Sequence, residues 1–260
     1  MKLRLHQFLS KTGVFASKRD VKDAVWAGDV TVNGSVAKDI AFQFNPAKKE
    51  VQYRGQTLRL PGTETTLVLN KPAGVLCSRL NGQERALGKT SVFSLLEGHF
   101  SSEVHARLIT VGRLDEDTTG LLLLTTDGGL AHRIASPEHH VPKRYRVTVG
   151  ETPQEEALVL LSNGLEIQME ENGRRFTYTT QPAEVKVVAQ GVVEIVVHEG
   201  KKRQVRRMFS AVGHDVLALQ RRSIGELDLM ELNLPLGAWQ EVLHADIEAM
   251  LTQRAGDKRP

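Results

Sequence analysis

The chain has 260 residues, of which 40% are hydrophobic and 25% charged, with a net charge of +3 and one cysteine, Cys77. That length suits a small domain plus a larger one, and no segment approaches the roughly 18 apolar residues of a bilayer span, which excludes a membrane-spanning helix. A single cysteine excludes an intrachain disulfide and a zinc site built on several thiolates, and the charged opening Met-Lys-Leu-Arg-Leu-His has no leader-like apolar core, so a cytoplasmic protein is expected.

The charge is uneven. Residues 1–60 hold 11 basic and 5 acidic side chains, residues 61–150 hold 10 and 9, and residues 151–200 hold 3 and 9. A basic module in front of a nearly neutral body suits binding to a phosphate backbone, where cations release counterions; solubilising charge is the plainer reading.

Helical spacing of Leu5, Phe8 and Leu9, and of Val21, Ala24 and Val25, predicts helices over 5–12 and 17–27. Ser17 and Asp20 supply start signals for the second and Gly28 its stop. Asn33-Gly34 then predicts a hairpin over 30–36. This pattern leaves Arg4, Lys11, Lys18, Arg19 and Lys22 on the outside. Polar residues from 55 to 66, with Pro61-Gly62 among them, predict a linker and a division into domains 1–60 and 61–260. In the larger domain, strands are predicted at 66–70, 121–126, 145–149, 183–189 and 192–197. Helices are predicted at 128–135, 154–162, 202–212 and 241–251. The fold class is α+β, without dinucleotide or phosphate loops and without repeats.

Three constellations could carry chemistry. Val111-Gly-Arg-Leu-Asp115 leads through Thr118-Thr-Gly120 into an apolar strand, so Asp115 is a carboxylate set against a core. Spacing alone leaves open whether it caps a loop or reacts; Arg113 is a candidate ion-pair partner or phosphate contact, and the adjacent Glu116 and Asp117 read as solvated acids. In Lys201–Arg207, five of seven residues are basic. On a helix there, Val205, Met208, Phe209 and Val212 face the core and Arg206 lies at its edge, where it could pair with a buried carboxylate. Ser136 to Val147 holds two prolines, His139-His140 and Tyr145. The paired histidines lack a third ligand for a metal, and Tyr145 is either a strand aromatic or a ring for stacking on a base.

Gly112-Arg-Leu-Asp115, Thr118-Thr-Gly120, Asn70-Lys-Pro-Ala-Gly74, the strand at Tyr145 and Gln204-Val-Arg-Arg-Met208 together resemble, in order, the Rsu/Rlu branch of bacterial ribosomal RNA pseudouridine synthases. Residues 3–48 resemble the αL RNA-binding domain of the small-subunit ribosomal protein four type, with His6 departing from the acid usual there. The resemblance implies a helix-helix-hairpin RNA-binding domain followed by a mixed, mainly antiparallel catalytic domain. It implies an intramolecular isomerase that breaks the uridine N1–C1′ bond, rotates the base and rejoins it through C5, with no cofactor and no metal. Asp115 would be nucleophile or base, Arg206 the cation keeping it ionised, and Tyr145 a stacking residue that helps remove the C5 proton. Val205 would pack on the base, and a flipped nucleotide would meet Arg113. Lys71, either structural or a phosphate contact, and Lys18, Arg19, Lys22, Lys201, Lys202, Arg203 and Arg207 complete the expected RNA contacts. His139, His140 and Lys143 resemble the small-subunit branch, which implies 16S rRNA as target. The partner would be ribosomal RNA or a pre-ribosomal particle, met by a monomer. Alternatives are 23S rRNA, or a non-catalytic assembly factor that binds RNA without turnover.

Overall fold

The computed structural model describes residues 2–46, 48–58, 60, 64–171, 173–244 and 246–247. The chain divides into two compact units, Met1–Glu64 and Thr65–Pro260.

The first unit runs β1 (Leu3–Arg4), α1 (Leu5–Lys11), α2 (Lys18–Trp26), β2 (Val30–Val32), β3 (Ser35–Val36), β4 (Gln43–Phe44), β5 (Val51–Tyr53) and β6 (Gln56–Leu58). Ser17 Oγ accepts from Asp20 N at 3.2 Å while Asp20 Oδ2 accepts from Ser17 N at 2.9 Å, the reciprocal box that starts α2. Asn33 and Gly34, at φ 48° and 78°, make the tight turn between β2 and β3. Leu5, Phe8, Leu9, Val21, Val25, Val30 and Val51 close a core of their own. His6 turns its Nδ1 toward Ile40 O at 2.8 Å, and Gln7 Oε1 accepts from Arg4 N to cap α1. Residues 56–58, expected within the linker, instead form β6 against β5 around a second left-handed pair, Arg54-Gly55.

The second unit runs β7 (Thr66–Lys71), β8 (Val75–Leu76), α3 (Gly82–Ala86), β9 (Thr90–Ser91), α4 (Ser102–Arg107), β10 (Ile109–Thr110), β11 (Thr119–Thr125), α5 (Gly128–Ala135) and β12 (Lys143–Val149). It continues with α6 (Glu155–Asn163), β13 (Glu166–Glu171), β14 (Arg174–Thr179), β15 (Glu184–Ala189), β16 (Val192–Val197), α7 (Gln204–Ala211), β17 (Val216–Ile224), β18 (Leu227–Asp228) and β19 (Trp239–Glu241). The main sheet has the order β15-β16-β12-β17-β11-β7-β19, with β10 and β18 attached. Its pairings are antiparallel except between β11 and β17. The α+β, mainly antiparallel expectation holds.

Strand β11 is buried on both faces. Leu121 and Leu123 pack with Leu130 and Ile134 of α5, while Leu122 and Leu124 pack with Val92, Leu96 and Leu108. Two strand regions escape the sequence reading. The central strand β17 was not predicted, because Gln220-Arg-Arg222 interrupts its apolar pattern. The β13–β14 hairpin was missed because its outward residues are polar and charged. Of the helix expected over 241–251, Glu241 belongs to β19, paired with β7, residues 244, 246 and 247 are helical, and residues 245 and 248–251 lie outside the described residues.

Candidate active site

The loop entering β11 is gripped from beneath. Lys71, at the end of β7, is fully buried and donates from Nζ to the carbonyls of Pro72 (3.0 Å), Glu116 (3.3 Å) and Thr118 (2.9 Å). Gly74 N donates to Glu116 O at 2.8 Å. The Lys-Pro-Ala-Gly turn thus fixes the loop that presents Asp115. Burial lowers the Lys71 pKa, against the raising influence of Cys77 and the loop acids. Of the two roles open to Lys71 from sequence, loop support and phosphate contact, its burial and its three carbonyl partners favour the first. Gly120 is required for a different reason: at φ 105°, a Cβ there would lie 2.2 Å from Arg221 O, so only glycine lets β11 meet β17.

Each acid of the loop faces at least one cation. Lys89 Nζ lies 2.6 Å from Glu116, and Arg206 Nη2 lies 3.2 Å from Asp117 Oδ2 while Arg206 Nη1 donates to Val216 O at 3.0 Å. Asp115 is faced by Arg203, at 3.7 Å from Nη1 to Oδ2, and Arg203 also reaches Asp117 at 3.5 Å. The pairing of Arg206 with Asp115 expected from sequence is therefore corrected. Helix α7 begins only at Gln204, so Arg206 lies in its first turn and meets Asp117, two residues beyond Asp115. Arg203 precedes the helix with a left-handed backbone, φ 54°, which throws its guanidinium toward Asp115. That conformation costs a non-glycine residue about 1–2 kcal/mol.

Glu199 holds this corner together. It is buried, accepting from Gln204 Nε2 at 2.5 Å, from Gln181 N at 3.0 Å and from the Tyr178 hydroxyl. The bond to Glu199, with burial and the carboxylate charge behind it, pushes the Tyr178 phenol up to about 12. Lys201 Nζ lies over the Tyr178 ring, 4.7 Å from its centroid.

Between the Asp115 loop, β12, β17 and the start of α7 lies a pocket of about 440 Å³. Asp115, Tyr145, Val205 and Arg113 line it, as do Lys201, Lys202 and Arg203. Arg206 stands behind Asp117. Arg207, expected among the phosphate contacts, instead donates from Nη1 to Gln168 O at 2.6 Å and ties α7 to β13. Lys18, Arg19 and Lys22 lie exposed on α2 of the first unit, where Arg19 also reaches Asp23 at 3.8 Å. Sequence reading missed Arg203 as the partner of Asp115, and it missed the buried Glu199 and Arg221, neither of which stands at a spacing that marks it.

The family described as RNA pseudouridylate synthase matches residues 65–211, and the S4 domain matches residues 3–47. The chain belongs to the RNA pseudouridine synthase family. It is 34% identical over 230 residues to the ribosomal small subunit pseudouridine synthase A of Vibrio cholerae, covering 88% of this chain and 91% of that one. It is 30% identical to the protein of the same name from Escherichia coli, covering 96% and 100%. A solved pseudouridylate synthase superposes with a TM-score of 0.61 at 30% identity, covering 95% and 99%. All the residues that line the pocket belong to the second unit, Thr65–Pro260, which contains the matched span 65–211.

Proposed function

We propose that this pseudouridine synthase isomerises one uridine of 16S ribosomal RNA in the cytoplasm, with Asp115 as the reacting carboxylate. The observation that carries the reading is the placement of Asp115 in a pocket shared with Tyr145 and Val205 and faced by Arg203. A flipped uracil needs a flat apolar wall and an aromatic ring, and Val205 and Tyr145 offer them. The carboxylate has a guanidinium, Arg203, facing it at 3.7 Å. Arg113, Lys201 and Lys202 are exposed at the rim and suit the phosphates on either side of the target. Lys18, Arg19 and Lys22 in the S4 unit supply a second, sequence-independent hold, with residues 1–60 as RNA-binding domain and 61–260 as catalytic domain. The names of the Vibrio cholerae and Escherichia coli relatives support the small-subunit target.

The test is mass-spectrometric mapping of pseudouridine in 16S and 23S rRNA from cells carrying the wild-type protein or Asp115→Asn. Loss of one 16S pseudouridine in the variant is the expected result. Loss from 23S instead would move the target, and identical maps would overturn the reading.

A further inference from the structure

The pocket floor holds two cations with no part in the reading above. Arg221 lies mid-strand in β17 and is 2% exposed. Its Nε donates to Leu121 O at 2.8 Å, but its buried Nη2 has no hydrogen-bond partner among the described residues. A guanidinium cannot shed its charge, and a buried N–H left unmade is costly, so the group needs an acceptor. Arg221 sits opposite Tyr145 in the β12–β17 ladder, and the register shifts between Arg144 and Tyr145. Lys143 and Tyr145 of β12 and Leu219, Arg221 and Ile224 of β17 all line the pocket. Lys143 spends one donor on Val141 O, at 2.9 Å.

The three carboxylates of the pocket are all committed elsewhere, Asp115 to Arg203, Glu116 to Lys89, and Glu199 to Gln204, Gln181 and Tyr178. Arg221 and Lys143 form no ion pair among the described residues. Their neighbours on the floor, Val197, Leu219 and Ile224, are apolar. A donor pair in such surroundings suits the edge of a flat heterocycle, whereas a hydrated phosphate suits the exposed rim.

We propose that Arg221, with Lys143 beside it, donates hydrogen bonds to a carbonyl oxygen of the target uracil and holds the base while it is detached. The proposal rests on the reading that the pocket receives a uridine. When the N1–C1′ bond breaks, C1′ passes to the Asp115 carboxylate and the bond's electron pair passes to N1, shared with O2 and O4, until C5 displaces the carboxylate from C1′. Donors at a carbonyl oxygen then bind more strongly than in the starting nucleoside. The charge is discharged when C5 bonds to C1′, the C5 proton leaves and N1 takes up a proton, so the donors end as they began.

The experiment uses the full chain and RNA carrying the mapped target position as uridine, 2-thiouridine or 4-thiouridine, since sulfur is a poor acceptor. Single-turnover rates are compared for wild type, Arg221→Gln and Lys143→Gln, with thermal unfolding confirming that each variant is folded. One of the two thio substitutions is expected to slow wild type by about 10- to 100-fold, as for a hydrogen bond from a charged donor. The same substitution should then slow Arg221→Gln less than about 3-fold, because the bond is already gone. Should Arg221→Gln fail to fold, Lys143→Gln carries the same comparison. Full multiplication of both thio effects in the folded variants, or no thio effect in wild type, overturns the proposal. Failure of wild type on plain uridine would instead count against the function proposed above.

Discussion

Arg203 reaches the carboxylate of Asp115 across 3.7 Å from a left-handed backbone position just ahead of α7. A strained residue beside the proposed reacting acid points to positioning, because the same chain could have placed an arginine there in an ordinary conformation. Arg203→Ala is expected to lower the single-turnover rate at least about 10-fold by leaving Asp115 without its cation. Arg203→Gly should be as slow but about 1 kcal/mol more stable than the alanine variant, since glycine adopts positive φ freely. Equal stability of the two would remove strain from the account, and wild-type turnover in both would remove the pairing.

Arg206 holds Asp117 and the Val216 carbonyl in two directions. Its two-sided geometry depends on a planar fork, so Arg206→Lys should behave like Arg206→Ala. In a double-mutant cycle with Asp117→Asn the stability losses should overlap by about 1 kcal/mol or more, because both remove one contact. Additive losses would show that Arg206 acts elsewhere.

Local signals made part of this legible. The Ser17–Asp20 box, the Asn33-Gly34 turn and the run Leu121–Leu124 each announce themselves within a few residues. The site was legible only as a set of motifs. The partners of Lys71 are backbone carbonyls, which any residue supplies, so its role leaves no mark in the sequence around it. Arg221 reads as a solvated arginine among Gln220 and Arg222, and becomes a core residue only because β17 is covered on both sides by β11 and β12. The choice between Arg203 and Arg206 turned on where α7 starts, and helix ends are the least certain feature of a pattern reading.

Lys71 has three carbonyls to satisfy and no carboxylate partner within the pocket loop. Lys71→Met keeps the length of the side chain and removes the donors, so a loss of about 2–4 kcal/mol in stability is expected. RNA affinity at fixed salt should be unchanged for the fraction that remains folded. Chemical denaturation and filter binding read these separately; a stable variant with weakened RNA binding would restore Lys71 as a phosphate contact.

Two part-buried titrating groups pull stability in opposite directions. Burial, then the neighbouring Arg221, brings Lys143 from 10.5 down to about 8. Between those values the unfolded chain holds the proton that the folded chain has released, so stability rises with pH, and Lys71 adds to the same rise. Tyr178, pushed up to about 12 from 10.0, keeps its proton folded and loses it unfolded, so stability falls above pH 10. Lys143→Met should reduce the climb from pH 8 to 10, and Tyr178→Phe the decline beyond it. Denaturation midpoints measured across that range test both, and a wild-type profile from either variant would refute the corresponding assignment.

Lys18, Arg19 and Lys22 project from α2, whose opposite face, Val21, Ala24 and Val25, is buried in the core of the first unit. Replacing the three with alanine therefore removes charge without touching packing, and the loss of Arg19 and its exposed partner Asp23 should cost little stability. If these cations meet phosphates, RNA affinity falls at low salt and the slope of log affinity against log salt shrinks in magnitude by about 2, as for three lost contacts at about 0.7 each. The single-turnover rate at saturating enzyme should stay near wild type, because the reacting groups lie in the other unit. An unchanged salt slope would return the basic face to the role of solubilising charge, and a lost single-turnover rate with intact binding would mean that the S4 unit takes part in more than holding RNA.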